Sequence, residues 1–198
     1  EYDAFGRVTR ATNANGKSQT FAYDKLGRVV TTTDPLSKSV TTTYDAFGQV
    51  LTVKDEVGQT TGKVTTYTYD RDARSVTMTT PEGVSVVTTR NAYGQTYAVR
   101  VGTNSTSYYY YDLDGNLTQT KVGTTVTETR DYDVGGRLIS STNAGGIETT
   151  YSYDAANRML TRTVDPTDAD TEVELSLITK WEYDAKGQAI KVTDPRGI

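Results

Sequence analysis

Apolar and β-branched residues along this chain fall in short runs, separated by polar residues, glycine and proline. Val29–Thr33 is one such run, and Val50–Val53 is another. No segment shows the apolar period of an amphipathic helix. Short β-branched runs that are bounded by turn residues favour β-strands. The pattern therefore predicts an all-β chain, with strands near residues 28–33, 49–54 and 64–69.

The turns between these runs repeat one six-residue phrase, Tyr-Asp-x-x-Gly-Arg. Eight good copies begin at residues 2, 23, 44, 69, 111, 132, 153 and 183, and a ninth, worn copy reads Arg90-Asn91-Ala92-Tyr93-Gly94-Gln95. Of the eight intervals between the nine starts, six are 21 residues, one is 25 and one is 30. A fixed period of this kind indicates a repeat protein.

The residues of this phrase predict a hairpin turn. Asp suits the first turn position, because its carboxylate can accept hydrogen bonds from backbone N–H groups further along. Gly suits the fourth position, because a positive φ is cheap there only without a Cβ atom. Asn157 fits the same position, whereas Ala73 predicts a locally altered turn. The repeat-signature residues are Tyr2, Asp3, Gly6, Tyr23, Asp24, Gly27, Tyr44, Asp45, Gly48, Tyr69, Asp70, Tyr111, Asp112, Gly115, Tyr132, Asp133, Gly136, Tyr153, Asp154, Tyr183, Asp184 and Gly187.

A second turn follows most copies of the phrase, and proline or glycine marks it. Each unit is therefore predicted to contain two strands and two turns. Nine units then give about eighteen strands in one continuous antiparallel meander, curved or spiralling, over residues 1–198. The second turns are Asn13–Gly16, Asp34–Ser37, Asp55–Gly58, Thr80–Gly83, Asn143–Gly146 and Asp194–Gly197.

Composition favours a thin sheet over a thick core. Hydrophobic residues make up only 35% of the chain, and 15 residues are tyrosine, which suits a sheet with partly solvated faces. The net charge of −4 argues against nucleic acid or an anionic membrane as a partner. No apolar run approaches the length of a membrane span, so none is predicted.

Residues suited to catalysis are scarce. The chain has no histidine and no cysteine, which removes the commonest general base and the thiolate nucleophile. Carboxylates recur at equivalent turn positions, which turn chemistry explains better than a single active site. We therefore predict no enzyme activity, no cofactor and no metal. The insertions near residues 58–63 and 165–174 are predicted to be protruding loops, and Asp112–Asn116 a repeat turn rather than a calcium loop.

Aromatic residues form a second pattern, two positions before the signature tyrosine and hence on the same strand face. We interpret this ladder as cross-strand packing in a sheet with little core. The alternative is a row of platforms on which a glycan stacks. The ladder consists of Phe21, Tyr67, Tyr109, Tyr151 and Trp181.

The Tyr-Asp-x-x-Gly-Arg phrase, its 21-residue return and the Asp-Pro-x-Gly second turn resemble the YD repeats of the bacterial Rhs family. Similar repeats occur in the C component of insecticidal toxin complexes and in the extracellular region of teneurins. The resemblance covers essentially all 198 residues. It implies a long β-sheet that spirals into a hollow shell around a C-terminal toxin domain, and a secreted or cell-surface location. No catalytic residue is carried over.

Two functions of different class follow from these patterns. As a structural wall, the chain would have flanking YD repeats and the enclosed toxin domain as partners. As a binding module, it would hold a glycan or a cell-surface receptor on the aromatic ladder. The chain opens inside a repeat and stops just past a turn, which predicts a fragment of a longer array whose strand edges self-associate.

Overall fold

The computed structural model describes residues 1–56, 62–165 and 176–197. Two compact units divide the chain, Glu1–Asn104 and Ser105–Ile198. Most of both predicted insertion loops, and the end of the predicted Asp55–Gly58 turn, lie outside the described residues.

The first unit is an antiparallel meander in which each strand pairs with the next along the chain. An isolated bridge joins Tyr2 and Val8 before the first strand. The turns between strands are only a few residues long, and so short a connection can join antiparallel neighbours but not parallel ones. Each strand therefore pairs with the next one along the chain. Its strands are β1 (Arg10–Thr12), β2 (Ser18–Tyr23), β3 (Val29–Thr33), β4 (Ser39–Tyr44), β5 (Val50–Asp55), β6 (Lys63–Asp70), β7 (Ser75–Thr79), β8 (Ser85–Arg90) and β9 (Thr96–Val101).

The second unit repeats the same antiparallel order. Its strands are β10 (Ser107–Tyr111), β11 (Leu117–Val122), β12 (Thr125–Tyr132), β13 (Leu138–Asn143), β14 (Glu148–Tyr153), β15 (Met159–Asp165), β16 (Leu177–Tyr183) and β17 (Ala189–Thr193). The predicted all-β fold of tandem two-stranded hairpin units is confirmed. Over the described residues the structure contains strands and turns but no helix.

A shift of register marks the end of the strand that carries the signature tyrosine. In the β2–β3 pair, for example, it falls between Ala22 and Tyr23. Ala22 pairs with Thr31 and Tyr23 pairs with Val29, so the partner strand β3 contains one extra residue at this point. Such a bulge bends the strand that carries it and increases the local twist. The β6–β7 pair departs from this pattern, because its pairing continues without a shift to Asp70 and Ser75. Equivalent shifts precede Tyr44, Arg90, Tyr111, Tyr132, Tyr153 and Tyr183.

Burial is slight throughout the described residues. Ala98, which is 8% exposed, is the only buried hydrophobic residue among them. Stabilisation must therefore come mainly from backbone ladders, turn hydrogen bonds and lateral side-chain pairs, since cross-strand pairs contribute about 0.2–1 kcal/mol each. This low burial agrees with the partly solvated sheet that the composition predicts.

Two second turns escaped the sequence prediction. In one, the N–H of Asn104 donates to the carbonyl of Val101 (3.0 Å). In the other, Gly123 and Thr124 link the paired residues Val122 and Thr125. Gly102 and Gly123 both have positive φ, 56° and 59°. Their separation equals the repeat period, which is the signal that could have identified both turns.

Candidate functional site: the staples between repeats

The signature aspartate closes the first turn of each intact repeat. In the copy starting at Tyr23, Asp24 Oδ1 accepts hydrogen bonds from the backbone N–H groups of Leu26 and Arg28, both at 2.9 Å. The Gly27 N–H donates to the Asp24 carbonyl at 3.1 Å, and Gly27 has a φ of 81°. The expected turn chemistry is therefore present in this copy. The same paired acceptance occurs at Asp3, Asp45, Asp112, Asp133, Asp154 and Asp184.

The arginine that ends the phrase uses the other carboxylate oxygen. Arg28 Nε donates to Asp24 Oδ2 at 2.6 Å, and its Nη1 reaches the carbonyl of Asp45 in the next repeat at 3.2 Å. The guanidinium carbon lies 4.5 Å from the ring centroid of Tyr44, the next signature tyrosine. One side chain thus joins its own turn to the following repeat. Similar ion pairs and ring contacts occur at Arg7, Arg137 and Arg158.

The signature tyrosine makes a second link back to the preceding repeat. The Tyr44 hydroxyl donates to the carbonyl of Val29, the residue after Arg28, at 3.0 Å. The same bond joins Tyr23 to Val8, Tyr69 to Val50, Tyr132 to Leu117, Tyr153 to Leu138 and Tyr183 to Met159. We call this hydroxyl–carbonyl bond the tyrosine staple and the arginine contacts the arginine staple.

The tyrosine staple spans both long intervals of the repeat. Tyr69 bonds Val50 at 2.8 Å across the 25-residue interval, and Tyr183 bonds Met159 at 2.8 Å across the 30-residue interval. Both insertions therefore leave the link between successive phrases intact. This fits the rule that insertions in repeat proteins map to loops.

The hydrogen bonds of the turn stabilise ionised aspartate. At Asp133 the backbone N–H of Arg137, followed by its guanidinium, lowers the pKa of the carboxyl below its ordinary value of 3.8. The pKa of Asp154 is lowered first by the backbone N–H of Arg158, against the opposing effect of burial. Hydrogen bonds to the charged form favour it over the neutral form.

Two neighbouring copies, those starting at residues 69 and 90, depart from this arrangement. In the first, Arg74 rather than Ala73 has positive φ, 50°, and its N–H donates to the Arg71 carbonyl at 3.3 Å. The turn is therefore displaced by one residue, and the predicted local alteration of this turn is observed. In the second, the N–H groups of Tyr93 and Gln95 both donate to Asn91 Oδ1 at 3.0 Å. That turn keeps its hydrogen bonds without a carboxylate.

The structure places the predicted residues as follows. Seven signature tyrosines, Tyr2 excepted, are half-buried, and the aromatic ladder of Phe21, Tyr67, Tyr109, Tyr151 and Trp181 is half-buried as well. Asp112–Asn116 is a turn, with Asp112 Oδ1 occupied by backbone N–H groups. Among the described residues no group of three acidic residues is placed to hold a metal ion. The same residues include no helix long and apolar enough to cross a membrane.

Sequence reasoning missed the arginine staple. Arg occupies the last position of the phrase at Arg7, Arg28, Arg74, Arg137 and Arg158, and all five copies carry the aspartate. The four that form the ion pair also have Gly or Asn directly before the arginine, where the copy of Arg74 has alanine. This coincidence is the signal that could have revealed the ion pair. The contact with the next tyrosine joins different repeats, so the single phrase does not contain it.

A family model described as RHS Repeat matches residues 2–39, 23–61, 44–85 and 132–170 of the chain. Comparison with curated proteins gives no match.

Solved structures show the same fold. A crystal structure of TcdB2-TccC3 without the hypervariable C-terminal region aligns with a TM-score of 0.59 and 15% identity, over 98% of this chain and 12% of that one. A TcdB2-TccC3-Cdc42 structure aligns over the same shares, with a TM-score of 0.59 and 14% identity. The structure of the Photorhabdus luminescens Tc holotoxin pore, which carries a TccC3 mutation, aligns with a TM-score of 0.57 and 15% identity. The alignment again covers 98% of this chain and 12% of that one. This chain therefore spans about one eighth of the length of each matched chain.

Proposed function

The chain belongs to the RHS repeat family, and from this premise we propose that it is a non-catalytic wall segment of a β-sheet shell that encloses and helps deliver a C-terminal toxin domain. Its role as a structural repeat follows from the family match and from the shared fold. The shell and the enclosed toxin domain are the parts that we propose, together with a secreted or cell-surface location.

The observation that carries the proposal is the series of staples. A sheet with almost no buried side chains needs lateral contacts to keep its repeats in order. Within the described residues the tyrosine staple supplies such a contact at six links between successive copies. The arginine staple adds a second contact at four of them. Such contacts stabilise a wall without providing a reactive group.

Neighbouring YD repeats are the proposed partners along the array, because each staple joins one repeat to the next. Self-association at strand edges is a second proposed contact. On β17, Ile190 is 64% exposed and Val192 is 50% exposed, and exposed apolar edges favour pairing with another chain. Light scattering over a concentration series would show growth in mass, whereas a strict monomer at high concentration would contradict this contact.

The aromatic ladder fits the wall, since its half-buried rings can pack against neighbouring strands. Glycan or receptor binding on the same rings stays a prediction.

The wall proposal is tested in the full-length protein that carries this array. One variant combines Arg28→Gln with Tyr44→Phe and Arg158→Gln with Tyr183→Phe, which removes both staples at two links. A matched control changes Lys25 and Lys186 to Gln, because these lysines lie exposed in the same family of turns. Limited proteolysis then measures how fast the C-terminal domain is cut.

We expect the C-terminal domain to resist protease in the wild type and in the control, and to become cleavable in the staple variant. A C-terminal domain that is cut in the wild type as fast as when it is produced alone would contradict the proposal.

A further inference from the structure

Three arginines gather where the two irregular copies meet. Arg71, Arg74 and Arg90 line one cavity of about 430 Å³. We propose that this cavity binds the sulfate or phosphate group of a ligand. The proposal concerns a binding site and is independent of the enclosed toxin domain.

The displaced turn separates Arg74 from the aspartate of its own copy. In intact copies the last arginine is neutralised by that aspartate, as Arg28 is by Asp24 at 2.6 Å. Here Asp70 Oδ1 accepts the Ala73 N–H at 2.8 Å, and Arg74 Nε instead donates to the Arg90 carbonyl at 3.3 Å. The charge of Arg74 therefore has no carboxylate partner within the described residues.

The worn copy removes a negative charge and adds a positive one. Asn91 stands where other copies have aspartate, and Arg90 stands where they have tyrosine. Asn91 Oδ1 still accepts the two backbone hydrogen bonds that close the turn. The turn therefore forms without the negative charge. Arg90 Nη1 donates to the Gly94 carbonyl at 2.8 Å, which ties the side chain to this turn.

Arg71 completes the cluster. Its guanidinium carbon lies 3.8 Å from the ring centroid of Phe47, a stacking contact that leaves the edge of the planar group available for hydrogen bonds. The cavity lining also contains one carboxylate, that of Asp70. Three cations thus face one anion, in a chain whose overall charge is −4. The positive charge is local, so binding should be specific to this cavity.

The chemistry of the lining selects the ligand. Guanidinium groups bind oxoanions through paired N–H donors, and several arginines together match the oxygens of a tetrahedral sulfate or phosphate. The Asn91 and Gln49 amides also line the cavity. A volume of about 430 Å³ exceeds that of the anion alone and lies in the range of small-ligand sites. The group could therefore arrive as a free ion or on a small molecule such as a sulfated sugar.

Titration calorimetry at constant ionic strength tests the site, with sodium sulfate, sodium phosphate and a sulfated disaccharide as probes and chloride as the balancing anion. The decisive variant is Asn91→Asp, which restores the carboxylate while keeping the Oδ1 acceptor that closes the turn. A second variant is Arg74→Gln with Arg90→Gln. The matched control is Arg100→Gln, which removes one positive charge from an exposed position on β9 outside the cavity lining.

We expect saturable binding of at least one probe to the wild type and to Arg100→Gln, and at least tenfold weaker binding to both cavity variants. Equal affinity for sulfate and the disaccharide would identify the free ion as the ligand, whereas tighter binding of the disaccharide would identify a sulfated glycan. Absence of saturable binding to the wild type would overturn the proposal. So would unchanged affinity in Asn91→Asp at an unchanged melting temperature, or an equal loss in the Arg100→Gln control.

Discussion

The intact copies and the two irregular copies contain nearly the same turn, but the turn makes different contacts in the two groups. Around Asp24 and Arg28, one carboxylate closes the turn and also neutralises an arginine that reaches the next repeat. Around Asn91 the turn closes equally well without any charge. The residue at this position therefore has two separable functions, to close the turn and to neutralise the arginine that contacts the next repeat. Only neutralisation of the arginine requires a carboxylate.

Copies without the arginine extend the comparison. Gln49 and Asn116 replace it, yet Tyr69 and Tyr132 still donate to the carbonyls of Val50 and Leu117. The tyrosine staple thus depends on backbone placement, while the arginine staple is an addition that four copies carry. Because the two contacts are independent, substitutions can remove either one alone.

Loss of a turn glycine should have the largest effect. Gly27 and Gly48 have φ of 81° and 85°, where a β-branched residue is strained. We expect Gly27→Val or Gly48→Val to lower the free energy of unfolding by about 1–3 kcal/mol, measured by urea denaturation. Lys25→Val, in the same turn without positive φ, is the control and should change little. A Gly27→Val protein as stable as the control would remove the turn assignment.

Loss of a tyrosine-staple hydroxyl should cause the next largest loss of stability. The loss should be equal at links with and without an arginine staple. Tyr153→Phe removes a 2.9 Å bond to Leu138 beside an arginine staple, and Tyr69→Phe removes its counterpart beside Gln49. Each should cost about 1 kcal/mol. Tyr67→Phe is the matched control, because its hydroxyl makes no hydrogen bond within the described residues. A loss at Tyr67 equal to that at Tyr153 would mean that the hydroxyl bond contributes nothing specific.

How much the sequence could predict follows from where each contact lies along the chain. The turns are local, so Asp24 and Gly27 predict theirs from the phrase alone. The arginine staple joins Arg28 to Tyr44 in the next repeat, and the pattern within a single phrase does not display a contact between two repeats. The arginine cavity was likewise missed, since it arises from a displaced turn in one copy and substitutions in the next.

Acid should weaken the intact copies selectively. Backbone N–H groups and arginine lower the pKa of Asp133 in the folded state below the ordinary 3.8, so its contribution to stability is present above that value and disappears as pH falls through the folded pKa. We therefore expect the melting temperature to fall below about pH 4. Asp133→Asn should be less stable at pH 7 and should lose less between pH 5 and pH 3. Parallel pH profiles of the two proteins would contradict this linkage.

The smallest effect should come from relieving strain. Ser37 closes a second turn with a φ of 64°, where other copies have glycine. Ser37→Gly should raise the free energy of unfolding by about 0.5 kcal/mol, because glycine reaches positive φ without a steric penalty. Ser39→Gly, in strand β4, is the control and should destabilise. A destabilised Ser37→Gly protein would show that the strain at Ser37 is outweighed by the flexibility that glycine adds.

The most direct test of the arginine staple is a double-mutant cycle between Arg28 and Tyr44. The single variants are Arg28→Gln and Tyr44→Leu, and the comparison cycle uses Gln49→Ala with Tyr69→Leu, a link that naturally lacks the arginine. We predict a favourable coupling of about 0.5–1 kcal/mol for Arg28 with Tyr44, and less than half of it for Gln49 with Tyr69. Zero coupling between Arg28 and Tyr44, or equal coupling in the two cycles, would contradict the claim that the arginine joins successive repeats.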